Sequence, residues 1–408
     1  MKSSHFKIIF PKGLDSIANR TINVLETNYL PISNSLGKQP RPISVILQNQ
    51  NTESNGFVSY TPRRSEFFIT PPQDYNLLGT YNWLDQLAKH EFRHVVQFDK
   101  ALTGPTKYLY WLIGNYGISG LSHLAAPSWF WEGDAVGIET AHSYTGRGSI
   151  PYFSMLMRSQ LADYEKPFSY SKANGRSYKH NIPNHYVLGY SLTSYMKENY
   201  GYDIWDKILE KTYQFPFYPF SFSNNVKKIT GKSIDNTYKL AYSELQSQIK
   251  SEIENRVSYE KDYINYSKSR YYTDYEYPQF LKDGKVLALK SGLSSIAQFV
   301  ILDEKNKEKK VFAIGALNDA LTLSVANNKV VWAEFMPDAR WEMRNFSNLK
   351  TLDLETGKVQ QLTKKGRLAA PALSPDGRQI IAVNTSSSGK YSLQMLNAES
   401  GLVFKEFG

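Results

Sequence analysis

The chain has 408 residues, too many for one small core, so two domains are expected. Apolar residues make up 41% and charged residues 21%, an ordinary globular balance that excludes a fibrous or disordered chain. The formal charge is +10, but the longest Lys-rich run, 305–310, is interleaved with acids, so no nucleic-acid partner is expected. Cysteine is absent, which excludes disulfides, thiolate metal sites and thiol catalysis and leaves His, Asp and Glu to hold any metal.

Met1-Lys2-Ser3-Ser4-His5 carries no apolar core of a signal peptide. Met1 therefore reads as a start placed after a removed signal. With no cysteine, the expected location is extracytoplasmic, periplasmic or cell-surface, in a bacterium. Residues 6–10 form a short apolar run ended by Pro11 and Gly13 and predict a strand. Residues 14–29 carry Leu14, Ile17, Ala18, Ile22 and Leu25 at helical spacing. Residues 43–47, 56–60 and 66–70 predict strands, the last two joined through 61–65, and Pro71-Pro72 stops the third. Residues 81–100 predict an amphipathic helix through Trp83, Leu84, Leu87, His90, His94, Val95 and Phe98. The run 109–118 is apolar but short and broken by Gly114, Asn115 and Gly117, and no run approaches the roughly 18–20 residues of a membrane span. Further helices are expected at 108–113, 129–140, 152–161, 185–199, 204–213 and 234–255. The first domain, residues 1–258, is thus expected to be α+β, a small sheet followed mainly by helices.

After residue 259 the pattern changes to strands at 286–290, 299–303, 310–314, 329–332, 349–353, 380–384 and 393–397. Turns at Asp283-Gly284, Glu355-Thr356-Gly357, Pro375-Asp376-Gly377 and Glu399-Ser400-Gly401 separate them. The segment 280–288 repeats at 373–382, with a degenerate copy at 323–332, a period of about 45 residues that matches one four-stranded propeller blade. The Ser374-Pro375-Asp376-Gly377 turn resembles that of the TolB-like β-propeller repeats. The resemblance implies an all-β second domain, 259–408, of about three blades belonging to a longer propeller, with a surface for a protein partner.

The chemistry lies in His90-Glu91-Phe92-Arg93-His94. Two histidines four residues apart project from one helix face, as two ligands of a tetrahedral zinc with an open position must. Glu91 follows the first, where it can take a proton from water without ligating the metal. The expected third ligand is Glu132, 38 residues after His94, in Trp129-Phe130-Trp131-Glu132-Gly133, because a carboxylate among tryptophans is costly to bury unless paired or metal-bound. These two motifs resemble the gluzincin clan, in particular its peptidase MA-like domains, with 103–126 as an insertion between them. The resemblance implies a Zn2+-dependent peptidase in which His90, His94 and Glu132 hold the metal and Glu91 is the general base. It also implies a tyrosine that stabilises the oxyanion. Tyr186, in Tyr186-Val187-Leu188-Gly189, takes that role, with His185 and Tyr190 as alternatives. The Gly-x-Met-x-Asn element that grips a free N-terminus in the aminopeptidase branch is missing. Peptide or protein substrates cut internally are therefore expected, laid along an edge strand at 55–58.

Asp99 and Asp134 are weighed as partners of the histidines but read as exposed or capping residues. Arg93 is read onto the polar helix face, Trp131 as packing, and His123 as an ordinary surface histidine. Two other readings compete. In one, the peptidase-like domain is silent and the repeats supply a binding scaffold. In the other, the zinc is structural, which would need four protein ligands rather than three.

Overall fold

The computed structural model describes residues 1–164, 166–177, 179–257, 269–305, 307–316 and 322–408. The boundary expected at 258/259 lies outside the described residues. The chain opens with β1 (Phe6–Ile9), α1 (Asp15–Thr27), α2 (Tyr29–Asn34), β2 (Ile43–Gln48), β3 (Gly56–Tyr60) and β4 (Arg63–Phe68). The sheet order is β1-β2-β4-β3, with β1, β2 and β4 parallel and β3 an antiparallel edge. Phe6 and Ile8 of β1 and Ile43, Val45 and Leu47 of β2 are buried at alternate positions, the two-residue period of a half-covered sheet. β4 begins at Arg63 rather than Glu66, because the polar residues at its start find partners. Arg63 pairs with Asp99, and Arg64 with Glu66.

Helices follow: α3 (Tyr75–Leu78), α4 (Trp83–Lys100), α5 (Pro105–Ile113), α6 (Asn115–Ala125), α7 (Ser128–Ala141), a 3-10 turn at Arg147–Ser149, α8 (Pro151–Asp163), α9 (Tyr170–Gly175), α10 (His185–Tyr200), α11 (Ile204–Gln214), α12 (Ser221–Thr230) and α13 (Ile234–Glu254). α4 starts two residues later than its apolar spacing suggests, because the Asn82 side chain accepts from the Asp85 N–H and caps it there. Almost every residue of α4 from Leu84 onward is buried, so the helix runs through the middle of this half. The expected insertion is a helical hairpin, α5 and α6, turned at Gly114.

Among the described residues, the second half holds three four-stranded antiparallel sheets. The first is β5 (Thr273–Phe280), β6 (Val286–Gly292), β7 (Ser295–Leu302) and β8 (Glu308–Ala313). The second is β9 (Leu323–Ala326), β10 (Lys329–Pro337), β11 (Asn345–Asp353) and β12 (Val359–Gln361). The third is β13 (Leu368–Leu373), β14 (Gln379–Thr385), β15 (Tyr391–Asn397) and β16 (Val403–Phe407). The middle sheet is covered on both faces. Val330 and Trp332 of β10 pack towards Leu289 and Phe299, whereas Val331 between them packs with Leu368, Ile380 and Leu396. Gly377 sits at φ +72, the left-handed conformation that the Asp-Gly turn needs. At the degenerate repeat Asn327 and Asn328 adopt the same region at +46 and +59.

The halves touch through the loop 49–55. The Thr52 N–H donates to Asn345 Oδ1 at 2.6 Å, Arg367 Nη2 donates to Asn51 O at 2.7 Å, and Asn49 Nδ2 donates to Ser387 O at 2.8 Å.

Candidate metal centre

α4 presents His90, Glu91 and His94, and α7 brings Glu132 against them. The two imidazole Nε2 atoms are 3.2 Å apart, and Glu132 Oε2 lies 3.4 Å from each. A tetrahedral cation about 2.0–2.1 Å from each ligand needs ligand atoms about 3.3–3.4 Å apart, so the triangle has the size such an ion requires. The three atoms face a common centre. Gln97 settles the tautomer of His94. Its Nε2 donates to Trp131 O and to Asp134 Oδ2, both at 3.0 Å, so Oε1 faces the ring and must accept from His94 Nδ1 at 2.8 Å. In the neutral ring the proton therefore sits on Nδ1, which leaves the His94 Nε2 lone pair free to ligate a cation. His90 Nδ1 faces Glu139 Oε2 at 2.8 Å, a contact that orients the ring. Among the described residues, Glu132 Oε2 is buried with no hydrogen-bond partner.

Glu91, Glu132 and Glu139 gather around the triangle against the one positive charge of Arg147, a setting that favours positive charge at its centre. Burial works against a charged His94, but Glu132 and Glu91 outweigh it and the imidazole is pushed up to about 9. Burial raises Glu132, yet the His94 and His90 rings hold it well below the usual carboxylate range. Arg147 donates to Glu139 from Nε at 2.7 Å and from Nη2 at 3.0 Å, and its Nη2 lies 2.9 Å from His90 Nδ1. Glu139 is opposed by its own burial but held down to about 2 by Arg147 and His90.

Glu91 is buried, and among the described residues its Oε2 also has no hydrogen-bond partner. Burial raises its pKa, and the neighbouring histidines only partly offset this. The carboxylate opens into a cleft of about 320 Å³ lined by Phe57, His90, His94, Trp131, Glu132 and Tyr186 among others. Tyr186 lies at the start of α10, which Asn184 caps by accepting from the Tyr186 and Val187 N–H groups. Its phenol is pushed well above its ordinary pKa by burial and by Glu132, so it stays protonated. Arg147 sits over its ring, 5.5 Å from the centroid.

What brings Tyr186 opposite Glu132 is a contact between glycines. A Cβ on Gly189 would lie 1.8 Å from Trp129 O, and one on Gly133 would lie 2.0 Å from the Gly189 carbonyl carbon. α7 and α10 thus cross backbone to backbone, which only glycine at both positions permits.

The structure brings together every residue expected at the site: His90, Glu91, His94, Glu132 and Tyr186 line one cleft, with the edge strand β3 beside them. His185 lines the cleft as well, whereas Tyr190 packs against Gly148 and Phe153. Trp131 packs as expected and lines the cleft, and His123 is exposed at its rim. Three readings are corrected. Arg93 is fully buried, with Nε donating to Asp134 at 2.6 Å and Nη1 to Ile32 O at 2.7 Å. Asp134 is buried rather than exposed, and it supports His94 through Gln97. Asp99 is buried too, but it pairs with Arg41 and Arg63 and not with a histidine. Sequence reasoning missed Gln97, Glu139 and Arg147. Two of these had a signal. Gln97 follows His94 by one turn, and Glu139 follows Glu132 by two turns on the same helix face.

The sequence matches no protein-family model and no curated protein. Solved structures similar to the chain are TolB-like β-propeller proteins and the propeller domains of peptidases. TolB from Acinetobacter baumannii is 21% identical with a TM-score of 0.25, over 31% of this chain and 30% of that one. The β-propeller domain of the Trilobed protease from Pyrococcus furiosus is 15% identical with a TM-score of 0.24, over 33% and 42%. A puromycin-hydrolyzing peptidase of Mycobacterium tuberculosis is 9% identical with a TM-score of 0.25, over 32% and 20%. The chain spans well under two thirds of each of these proteins, and likenesses of this extent bear on no residue of the site.

Proposed function

We propose that the chain is a zinc-dependent peptidase of gluzincin type that cuts polypeptides internally. The observation that carries this reading is the triangle of His90 Nε2, His94 Nε2 and Glu132 Oε2, all facing a common centre, beside the buried Glu91 carboxylate. A zinc ion held by those three atoms supplies Lewis acidity, polarising a carbonyl and lowering the pKa of water. Glu91, its basicity raised by burial, accepts a proton from the attacking water and delivers it to the leaving amine as the C–N bond breaks. Tyr186 donates its hydroxyl hydrogen to the oxygen on which negative charge develops. Gln97 holds His94 in the ligating tautomer, Glu139 orients His90, and β3 offers its free edge to an extended substrate. An extracytoplasmic setting and a protein partner on the repeat sheets belong to the same proposal.

Glu91→Gln tests the proposal. The variant should bind one zinc as the wild type does, measured by chelator competition, and lose at least about 100-fold in cleavage of a denatured protein. Equal inertness of wild type and variant across a broad peptide library, with zinc bound, would overturn the peptidase reading in favour of a scaffold. Unfolding on chelation would assign the zinc a structural role.

A further inference from the structure

The helical hairpin of α5 and α6 leaves an apolar face uncovered. Between Ala101 and Trp131 the only side chain charged at neutral pH is Lys107. Only Thr106 of α5 is buried, and Trp111 is 83% exposed. Tyr108, Leu112, Ile113, Tyr116 and Leu124 are exposed with it. The opposite side of the hairpin is fixed to the domain: Ile118, Leu121 and Ser122 of α6 are buried, and Ser122 Oγ lies 3.1 Å from Tyr60 Oη. The face is thus turned outward and unusually apolar for a surface.

A second exposed aromatic group adjoins it. Phe215, Phe217, Tyr218 and Phe220 lie between α11 and α12, with Phe220 80% exposed. The start of α5 abuts the end of α11 just before them, since a Cβ on Gly104 would be 3.2 Å from Gln214 Cα. The residues from 211 to 234 include Lys211, Lys227, Lys228 and Lys232 and no carboxylate. The nearest acids in the chain before them, Asp206 and Glu210, are engaged by Lys100. The two segments together carry five exposed lysines and no acidic side chain.

We propose that this face, the α5–α6 hairpin with the 215–220 loop, docks the protein onto an anionic lipid bilayer. Tryptophan, tyrosine and phenylalanine flanked by lysines are the side chains that settle at the level of lipid headgroups, the rings in the boundary and the ammonium groups on the phosphates. Within residues 101–131 and 211–234 every charged side chain is a lysine, which suits an anionic surface. The helices, of 9 and 11 residues, are too short to cross a bilayer, and among the described residues no helix is long and apolar enough to do so, so the hairpin lies on the surface. The inference is independent of any peptidase activity.

Co-flotation of the whole chain with vesicles tests it. Vesicles of phosphatidylcholine with about one third phosphatidylglycerol should carry the wild type upward at low salt, with a blue shift in tryptophan emission. The double substitution Trp111→Ser with Leu112→Ser should weaken the partition at least about tenfold. Both side chains are exposed, so circular dichroism should be unchanged. Lys227→Glu with Lys228→Glu should weaken it as well, and more at low salt than at high salt. Wild type that stays unbound by anionic vesicles, or a serine variant that floats as well as the wild type, would overturn the proposal. A wild-type dimer dissolved by the serine substitutions without vesicle binding would assign the face to a second copy and overturn it too.

Discussion

Gly189→Ala probes the helix crossing on which the site depends. The new methyl carbon would start 1.8 Å from Trp129 O and 2.8 Å from Gly133 Cα, both on the backbone of α7. Neither wall has a rotamer to change. Restoring a C···O contact of about 3.3 Å requires the helices to part by about 1.5 Å. Overpacking of this kind costs about 3 kcal/mol or more when nothing flexible can yield. Alanine's better helix propensity returns about 1 kcal/mol. The net loss, about 2 kcal/mol, should lower the melting temperature of a domain this size by about 4–8 °C. Because Tyr186 lies one turn before Gly189 and Glu132 lies beside Gly133, the same displacement should cut peptidase activity while zinc binding through α4 and α7 survives. Thermal unfolding by calorimetry, with chelator competition in parallel, measures both. Gly120→Ala is the control: nothing lies within 4 Å of its added methyl, and it should be neutral or slightly stabilising. A Gly189→Ala protein that melts with the wild type would show that the helices do not approach so closely, and the account of Tyr186's position would fail.

Other consequences follow from the supporting residues. Gln97→Leu removes the acceptor of His94 Nδ1 and should weaken zinc binding about 10–100-fold in chelator competition, whereas unchanged affinity would refute the tautomer assignment. Tyr186→Phe should lower kcat about 100–1,000-fold with KM and zinc affinity little changed, and a loss carried by KM would make Tyr186 a substrate-binding residue. Glu139 is lowered from its ordinary 4.5 to about 2 in the fold, so its contribution to stability is present above about 4.5 and is lost as pH falls through 2. That shift corresponds to about 3 kcal/mol, and Glu139→Gln should flatten the acid limb of a stability–pH curve across this window. An acid limb of unchanged steepness would mean that Glu139 is not held down by Arg147.

The parts of the site visible in the sequence are those encoded within one helix turn. His90 and His94 share a face because four residues make about one turn, and Glu91 is fixed beside them. Glu132 and Tyr186 were reachable only through motifs whose glycines, Gly133 and Gly189, have a purpose that emerges when α7 meets α10. Arg93 was misread for a related reason. A lone arginine on an amphipathic helix suggests a solvated face. Here its charge is met by Asp134, which Lys197 also bonds at 2.8 Å, and neither partner is near it in sequence. Arg147 supports the site from a 3-10 turn, a placement no local pattern carries, whereas Glu139 shares a helix face with Glu132. In the repeats the central strands and β8 were read and the other outer ones less so. β5, β9, β12, β13 and β16 lie at sheet margins and are less completely buried, so their apolar signal is weak.

The contacts between the halves fall where they bear on the cleft. The loop 49–55 leads directly into β3, the strand whose free edge borders the candidate metal centre. An edge strand with one neighbour is held by half the ladder of an interior strand and is the least constrained part of a sheet. Here its entry is tied down by groups from the second and third sheets of the other half. Asn345 Oδ1 accepts from both the N–H and the hydroxyl of Thr52, Arg367 donates to Asn51 O and lies 3.2 Å from Thr70 Oγ1, and Asn49 donates to Ser387 O. These bonds are buried or partly buried, so each one lost would leave an unpaired polar group and cost about 1–3 kcal/mol. The sheet repeats therefore tie down the approach to the strand on which a substrate would lie, through residues nearly 300 positions away in the chain.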